Sequence, residues 1–337
     1  MSGARRSGRD LDEDDVRTRP GRGSRPRTRD RPEHTDAMEA VVVAVDRGRY
    51  TCRRTLPGGG ADPAGAMVAA VRGGDLRRVP VVVGDGVALV GDVSGDPGAL
   101  ARIVRRAERT SVLRRTADDS DPAERPIVAN ADQLVIVTAL ADPPPRTGLI
   151  DRCLVAAYDG GLDPVLCLTK ADLADDEGLR DLYRPLGLTT ITSRQDVDPA
   201  ELRALITNRV SVLFGHSGVG KSTLVNRLVP EAARQIGEVN AVTGRGRHIS
   251  SAAVALPVPG GGWVVDTPGV RSFGLGAVSP ARVLAAFAEL AEAAASCPPG
   301  CTHAVGLADC ALDEAVRDGR AESARLASLR RLLAARV

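Results

Sequence analysis

The first third of the chain alternates short apolar runs with glycine-rich turns. Short apolar runs bounded by such turns are typical of β-strands. Five or six short strands within about 80 residues favour a small barrel, and an OB-like barrel fits that size. A sandwich without a nucleic-acid role is the alternative, and periodicity does not separate the two. The runs lie at 39–46, 49–55, 67–72, 80–83, 86–92 and 101–104.

The apolar positions become continuous after residue 121, in runs separated by helical patterns. Strands that are apolar on both faces and alternate with helices predict a mostly parallel α/β sheet. From residue 279 the chain is rich in Ala and Leu and predicts helices, with an interruption at 297–310. The predicted strands are 133–139, 164–169, 189–193, 210–214 and 263–266, and the predicted helices include 147–158, 199–207, 221–228 and 312–335.

The N-terminal segment differs from the rest in composition. Seven arginines and a single acid occur between residues 16 and 32, with few apolar residues, and this composition predicts disorder. We therefore expect a multidomain α/β protein with four parts. These are a disordered Arg-rich tail at 1–36, an OB-like barrel at 37–118, an α/β domain at 119–276 and a helical domain at 277–337.

Composition narrows the class of protein further. Hydrophobic residues make up 43% of 337 residues, which is enough for a large buried core. No run approaches the roughly 18 to 20 apolar residues of a membrane span, and the polar N-terminus lacks the apolar core of a secretory signal. We expect a cytoplasmic protein without a membrane partner.

Lysine is rare in a chain that otherwise uses arginine. Of 45 basic residues, only Lys170 and Lys221 are lysines. A lysine is a compact charge on a slim stem, and the wide planar fork of arginine does not fit the same pocket. The two lysines therefore mark two sites that need this side chain.

Lys221 belongs to a segment that matches the P-loop pattern G-x-x-x-x-G-K-S/T. The segment follows a predicted strand and opens a predicted helix, as the motif requires, which argues against a chance glycine-rich turn. Backbone N–H groups of such a loop bind phosphates, Lys221 reaches the β- and γ-phosphates, and the Ser222 hydroxyl binds Mg²⁺. The predicted nucleotide-binding residues are Gly215, His216, Ser217, Gly218, Val219, Gly220, Lys221, Ser222 and Thr223.

A D-x-P-G sequence ends the predicted strand at 263–266. A nucleotide hydrolase needs an Asp at a strand tip downstream of the P-loop to hold Mg²⁺ through its water shell, and Asp266 fits that role. The backbone N–H of Gly269 is then able to sense the γ-phosphate.

The other lysine lies in the sequence T-K-A-D at the end of a buried predicted strand. An Asp carboxylate there accepts hydrogen bonds from two donors of guanine that adenine lacks, and the lysine stem covers the base. This motif argues against a metabolic P-loop ATPase or kinase, and an ordinary exposed loop is the remaining alternative. The predicted base-binding residues are Thr169, Lys170, Asp172, Thr192 and Ser193.

A cluster of cysteines and one histidine lies in the C-terminal part. Three thiols and one imidazole fall within 14 residues, as Cys297, Cys301, His303 and Cys310. This set suits a closed tetrahedral zinc site with a structural role. The alternative is a set of unrelated reduced cysteines, which the density of the cluster disfavours.

The motifs occur in an unusual order, because the guanine motif precedes the P-loop by about 50 residues. With this order and the Cys/His cluster, the chain resembles the RsgA (YjeQ) family of circularly permuted GTPases. The resemblance covers about residues 38 to 336. Segments that carry it are 71–73, 83–87, 130–133, 215–223, 246–248, 266–270 and the Cys/His cluster.

The resemblance implies an N-terminal OB-fold, a central circularly permuted P-loop GTPase and a C-terminal zinc-knuckle domain. It also implies that the small ribosomal subunit and its rRNA are partners, that GTP and GDP are ligands, and that GTP hydrolysis is coupled to late subunit maturation and to release. We expect a monomer, although the sequence leaves the oligomeric state open. A GTP-gated RNA-binding module with incidental turnover is the alternative function.

The chain departs from the family pattern in two places. The family usually has three threonines after the switch His, whereas this chain has Ile-Ser-Ser, so Mg²⁺ coordination falls on Ser250 or Ser251. In the zinc cluster the two middle ligands, Cys301 and His303, lie one position earlier than usual, with the total span unchanged.

The residue that positions the attacking water must be sought outside the usual place. Small GTPases commonly use a Gln after D-x-x-G, and here that position is Val270. His248 is the best candidate, because it lies in the predicted switch segment 244–251 and the chain has only four histidines. The alternative is that His248 packs or caps the loop.

Overall fold

The computed structural model describes residues 34–56, 60–76, 78–118, 121–243, 253–267, 278–307 and 309–335. The chain divides into two units, Met1–Thr35 and Asp36–Val337. All the helices and strands that the structure describes lie in the second unit. The predicted Arg-rich tail lies outside the described residues, apart from its last three positions.

A five-stranded barrel forms the N-terminal part of the second unit. Neighbouring strands pair in the order β1-β2-β3-β5-β4, and β4 pairs back onto β1, which closes the barrel. Its interior is filled by small and branched residues such as Val42, Cys52 and Ile103. The strands are β1 (Met38–Asp46), β2 (Arg49–Arg54), β3 (Met67–Arg72), β4 (Gly86–Gly91) and β5 (Ala101–Arg106).

The predicted strand at 80–83 is not formed, and only Val83 makes an isolated bridge, with Val128. The reason is a tight turn around the fully buried Asp85. Its carboxylate accepts a hydrogen bond from the backbone N–H of Val82 at 2.8 Å and two from the guanidinium of Arg109 at 2.7 and 2.8 Å. This local bonding bends the segment that apolar composition alone would extend.

A second sheet region carries the α/β domain. Strands β10, β9, β8, β11 and β13 are parallel neighbours, and β12 pairs antiparallel with β13. The pair Ala44 and Val254 joins β12 to β1, so the barrel and this region share one eleven-stranded sheet. The strands are β8 (Gln133–Ala139), β9 (Asp163–Thr169), β10 (Thr189–Ser193), β11 (Val210–Phe214), β12 (Val254–Pro257) and β13 (Trp263–Asp266).

Within the described ranges, helices pack their apolar sides against the buried strands of this sheet region, and the last of them also contacts the barrel strands β2 and β3. The longest, α1, is capped at its C-terminal end by Gly161, which has a positive φ of 74°, the left-handed conformation that glycine adopts without strain. The helices are α1 (Thr147–Gly160), α2 (Glu177–Tyr183), α3 (Ala200–Ile206), α4 (Lys221–Leu228) and α5 (Ala232–Thr243).

A two-stranded hairpin that the sequence did not predict lies between the barrel and the α/β domain. It pairs β6 (Val112–Asp118) with β7 (Asp121–Ala129) in antiparallel register. Charged residues such as Arg114, Arg115 and Glu124 interrupt the apolar alternation, which hides both strands from pattern analysis. The predicted domain boundary at 118–119 lies between these two strands.

The C-terminal part is helical, with α6 (Pro280–Ala285), α7 (Ala288–Ala294), α8 (Ala311–Arg317) and α9 (Ser323–Ala334). The single helix predicted at 312–335 is two helices, because the chain turns at Gly319, which has a φ of 72°. No helix in the described ranges is long and apolar enough to cross a membrane.

Candidate nucleotide site and metal centre

The P-loop segment connects the end of β11 to the start of α4. Gly218 and Gly220 have positive φ angles of 85° and 89°, which bulkier residues adopt only with strain. A Cβ at Gly215 would lie 2.4 Å from the carbonyl oxygen of Val137, so the loop lies too close to β8 for any side chain there. The glycines of the motif are therefore required by this backbone path.

Lys221 and Asp266 form an ion pair at the carboxyl ends of β11 and β13. They meet because β11 and β13 are parallel neighbours, with Leu213 opposite Asp266 in the register. Both side chains are largely buried, at 13% and 18% exposure. The Thr267 hydroxyl donates to the carbonyl of Leu213 at 3.1 Å and holds the end of β13 against β11.

The guanine motif is tied to the P-loop through Thr169, the last residue of β9. Its hydroxyl donates to the carbonyl of Val219 at 2.6 Å and lies 3.2 Å from the carbonyl of Thr138. The next residue, Lys170, has a positive φ of 57°, and its ammonium group donates to the carbonyl of Asp142. The two lysine motifs, 51 residues apart in sequence, thus meet at one sheet edge.

An open groove of about 1090 Å³ runs along this edge. It lies at the carboxyl ends of parallel strands, where ligands bind in open α/β sheets. Its lining includes predicted residues from both motifs: Thr169, Lys170, Ser193, Gly215, His216, Ser217, Gly218, Gly220, Lys221, Ser222 and Thr223.

Of the predicted base-binding residues, Thr169, Lys170 and Ser193 line the groove where β9 and β10 end, whereas Asp172 and Thr192 do not line it. Ser193 is buried and lies opposite Thr169 in the parallel register of the two strands. Asp172 is exposed and follows Lys170 in a turn. Thr192 lines an adjoining cleft of about 420 Å³ together with Ser193 and Arg194.

Several groove residues were not anticipated from the sequence. Pro143 and Arg146 belong to the loop between β8 and α1, and Arg194, Gln195 and Arg227 lie on the other side. The signal that identifies the loop is topological. Because β8 lies between β9 and β11, the loop that leaves its carboxyl end must lie between the two motifs.

Four predicted residues lie outside the described part of the chain. They are His248, the two alternative Mg²⁺ ligands Ser250 and Ser251, and Gly269.

The Cys/His cluster forms one compact group in the C-terminal part. The Nδ1 atom of His303 lies 3.7 Å from the sulfur of Cys297, 3.6 Å from that of Cys301 and 3.9 Å from that of Cys310. All four ligand atoms lie within 4.8 Å of one another. A zinc ion bound tetrahedrally at usual bond lengths separates sulfur and nitrogen by about 3.5 Å, so this group fits such an ion.

Arg330 on α9 braces the loop that carries His303. Its guanidinium donates to the carbonyl of His303 at 2.8 Å and binds Asp313 of α8 through two nitrogens, at 2.9 and 2.7 Å. Burial, together with the nearby charge of Arg330, lowers the pKa of His303. A lowered pKa keeps the imidazole neutral, which is the form that binds metals.

Comparisons with known proteins agree with this geometry. The family model described as RsgA GTPase matches residues 106–276. The chain is 41% identical over 241 residues to "Small ribosomal subunit biogenesis GTPase RsgA" of Pseudomonas fluorescens strain Pf-5, covering 69% of each chain. It has the same identity and coverage with the protein of that name from Ectopseudomonas mendocina.

Two solved structures share the fold. YjeQ from Thermotoga maritima aligns with a TM-score of 0.63 and 24% identity, over 89% of this chain and 98% of that one. YloQ, described as a circularly permuted GTPase, aligns with a TM-score of 0.62 and 24% identity, over 91% of this chain and 97% of that one. The predicted barrel, permuted α/β domain and Cys/His cluster are confirmed by the fold of these structures and the geometry above.

Proposed function

Because this chain belongs to the RsgA GTPase family and is therefore a GTPase, we propose that it hydrolyses GTP on the small ribosomal subunit. Hydrolysis is coupled to late maturation of that subunit and to release of the protein. The name shared by its relatives refers to small-subunit biogenesis and supports the small ribosomal subunit as the partner. The protein acts as a cytoplasmic monomer.

The observation that carries the proposal is the meeting of two separate motifs in one groove. Asp172 and Lys170 bind guanine at one end, and the P-loop binds the phosphates at the other. Lys221 exchanges its partner Asp266 for the β- and γ-phosphates when nucleotide enters. Asp266 is then free to hold Mg²⁺ through water, and Ser222 completes the coordination from the start of α4.

His248 orients the attacking water in this proposal. The support is chemical, because Val270 stands where a Gln is common and its side chain has no polar atom that could orient a water. Ser250 or Ser251 supplies the switch ligand to Mg²⁺, and the backbone N–H of Gly269 senses the γ-phosphate. If these switch residues take up their positions only on the ribosomal particle, GTP hydrolysis by the free protein is weak.

Zinc is the metal that the Cys/His cluster holds, one ion per chain, through Cys297, Cys301, His303 and Cys310. The three thiolates and the imidazole form a closed set with no position left for a water, so the ion has a structural role. The cluster joins the loop at 297–310 to α8 and, through Arg330, to α9.

The barrel and the Arg-rich tail bind ribosomal RNA in this proposal. Exposed arginines on barrel strands, including Arg49, Arg54 and Arg102, support phosphate binding. The tail adds charge and acts by counterion release, without sequence preference. Deleting residues 1–36 should flatten the salt dependence of particle binding, and an unchanged slope would remove the tail from the interface.

The central experiment compares GTP hydrolysis with and without purified small ribosomal subunits. We expect single-turnover hydrolysis to rise strongly when the subunits are added, with large subunits as the matched control. Tight GTP-dependent binding to the subunit without any rise in hydrolysis would instead favour a GTP-gated RNA-binding module. Equal competition by ATP and GTP would contradict guanine recognition.

A further inference from the structure

Basic side chains line the nucleotide groove, and most of them bind a protein group. Lys170 and Lys221 bind the Asp142 carbonyl and Asp266, as described above. Arg194 pairs with Asp196 at 3.3 Å. Arg227 donates to the backbone carbonyls of residues 194 and 197.

Arg146 is different from these four residues. Its side chain is exposed, lines the groove, and makes no hydrogen bond or ion pair with any residue that the structure describes. Within the described ranges it is therefore the groove cation that needs no exchange of partner to bind an anion.

The backbone of Arg146 is held firmly in place. It stands at the N-cap position of α1, where its carbonyl accepts the N–H groups of Leu149 and Ile150 at 3.0 and 3.1 Å. The same loop approaches the P-loop, since a Cβ at Gly218 would contact Pro143 at 3.5 Å. Arg146 also borders a small cavity together with Gly215 and His216, the first residues of the P-loop.

From these observations we infer that Arg146 donates to the phosphates of the bound nucleotide, as a cation supplied by the chain itself. The inference rests on the nucleotide groove assigned under the proposed function. A guanidinium offers two parallel donors that match two phosphate oxygens, and such charge-assisted bonds are strong. Because the backbone of Arg146 is already fixed at the helix end, only the freedom of its side chain is lost when these bonds form.

The test measures the affinities of guanosine, GDP and a non-hydrolysable GTP analogue for full-length variants. Arg146→Ala should weaken GDP and the analogue by about tenfold, the effect of losing hydrogen bonds to a charged group, and leave guanosine unchanged. Arg146→Lys should retain part of the affinity, because it keeps the charge without the paired donors. Arg152→Ala, which removes an exposed arginine of the same helix outside the groove lining, is the matched control.

Failure of this inference is distinguishable from failure of the groove assignment. If Lys221→Ala weakens GDP while Arg146→Ala stays within about twofold of the unsubstituted protein, Arg146 does not contact the phosphates. If Arg146→Ala weakens guanosine as much as GDP, the residue only supports the loop, and the inference is overturned. If Lys221→Ala also leaves GDP affinity unchanged, the groove itself is not the nucleotide site.

Discussion

At the scale of single residues, the surroundings of the two lysines account for the use of lysine in a chain whose other basic residues are arginines. Lys221 lies between the P-loop and Asp266 with 13% of its side chain exposed, a space for a slim stem. Lys170 has a left-handed backbone conformation, and its ammonium group joins the β9 end to the loop after β8. Both are packed at the meeting point of two motifs, so each holds the groove together before nucleotide arrives.

Guanine recognition is expected to depend on the exposed carboxylate of Asp172. Asp172→Asn should weaken GTP binding and improve binding of xanthosine triphosphate, because the amide donates to the oxygen at position 2 of xanthine. Competition binding with both nucleotides measures the change. Asp181→Asn, which alters an exposed carboxylate on α2, is the control, and an unchanged preference in the Asp172 variant would refute the assignment.

Water activation is expected to depend on His248. His248→Ala should leave GTP affinity nearly unchanged and lower subunit-stimulated hydrolysis by at least about 10²-fold, the scale of a lost positioning or general-base group. Single-turnover hydrolysis with saturating small subunits measures this, and His34→Ala controls for loss of an imidazole elsewhere. Stimulated hydrolysis near that of the unsubstituted chain would exclude His248 from the chemistry.

At the scale of elements, structure that local sequence patterns encode was predicted better than pairing between distant segments. The strands β8 to β11 and helix α4 were predicted closely, because continuous apolar runs and the P-loop pattern are local signals. The hairpin of β6 and β7 was missed, because charged residues break its alternation. The buried ion pair of Asp85 with Arg109 and the groove position of Arg146 were missed too, since both depend on chain segments that only the fold brings together.

The C-terminal helices are expected to depend on the metal for their stability. Protein purified without chelator should contain one zinc per chain, and Cys310→Ser should lose it, whereas Cys52→Ala in the barrel should retain it. Removing the metal should speed hydrogen exchange in α8 and α9 more than in β8 to β11, because metal binding supplies local folding free energy. Absence of stoichiometric zinc, or uniform exchange across both regions, would contradict the assignment.

At the scale of the whole molecule, one buried carboxylate connects the C-terminal helices to the nucleotide-binding domain. Asp151 on α1 accepts the hydroxyl of Tyr183 and the guanidinium of Arg331 on α9, both at 3.0 Å. Arg325 of α9 also donates to the carbonyl of Pro185 at 2.7 Å. Since α1 begins at the groove loop, these contacts give a continuous path from the groove to the C-terminal helices.

The stability of this connection is expected to depend on pH once Arg331 is removed. Burial already raises the pKa of Asp151, and the charge of Arg331 opposes that rise. In Arg331→Ala the pKa of Asp151 rises further. At neutral pH the ionised carboxylate is then buried without a cation beside it, which destabilises the fold, whereas the protonated carboxyl group is buried at little cost. We expect a loss of about 2–3 kcal/mol near neutral pH that shrinks as the pH falls towards the unfolded-state pKa of Asp.

The sign follows from linkage, because a carboxyl group whose folded-state pKa exceeds its unfolded value favours folding below both values and opposes it as the pH rises through the folded one. Urea unfolding of the variant and the unsubstituted chain, compared at about pH 5 and about pH 8, measures the difference. Arg320→Ala, which removes only an exposed pair with Asp318, should cost less than about 0.5 kcal/mol at both. An Arg331→Ala loss of equal size at the two pH values would mean that its packing over the Tyr183 ring, and not the buried carboxylate, holds α9 to α1.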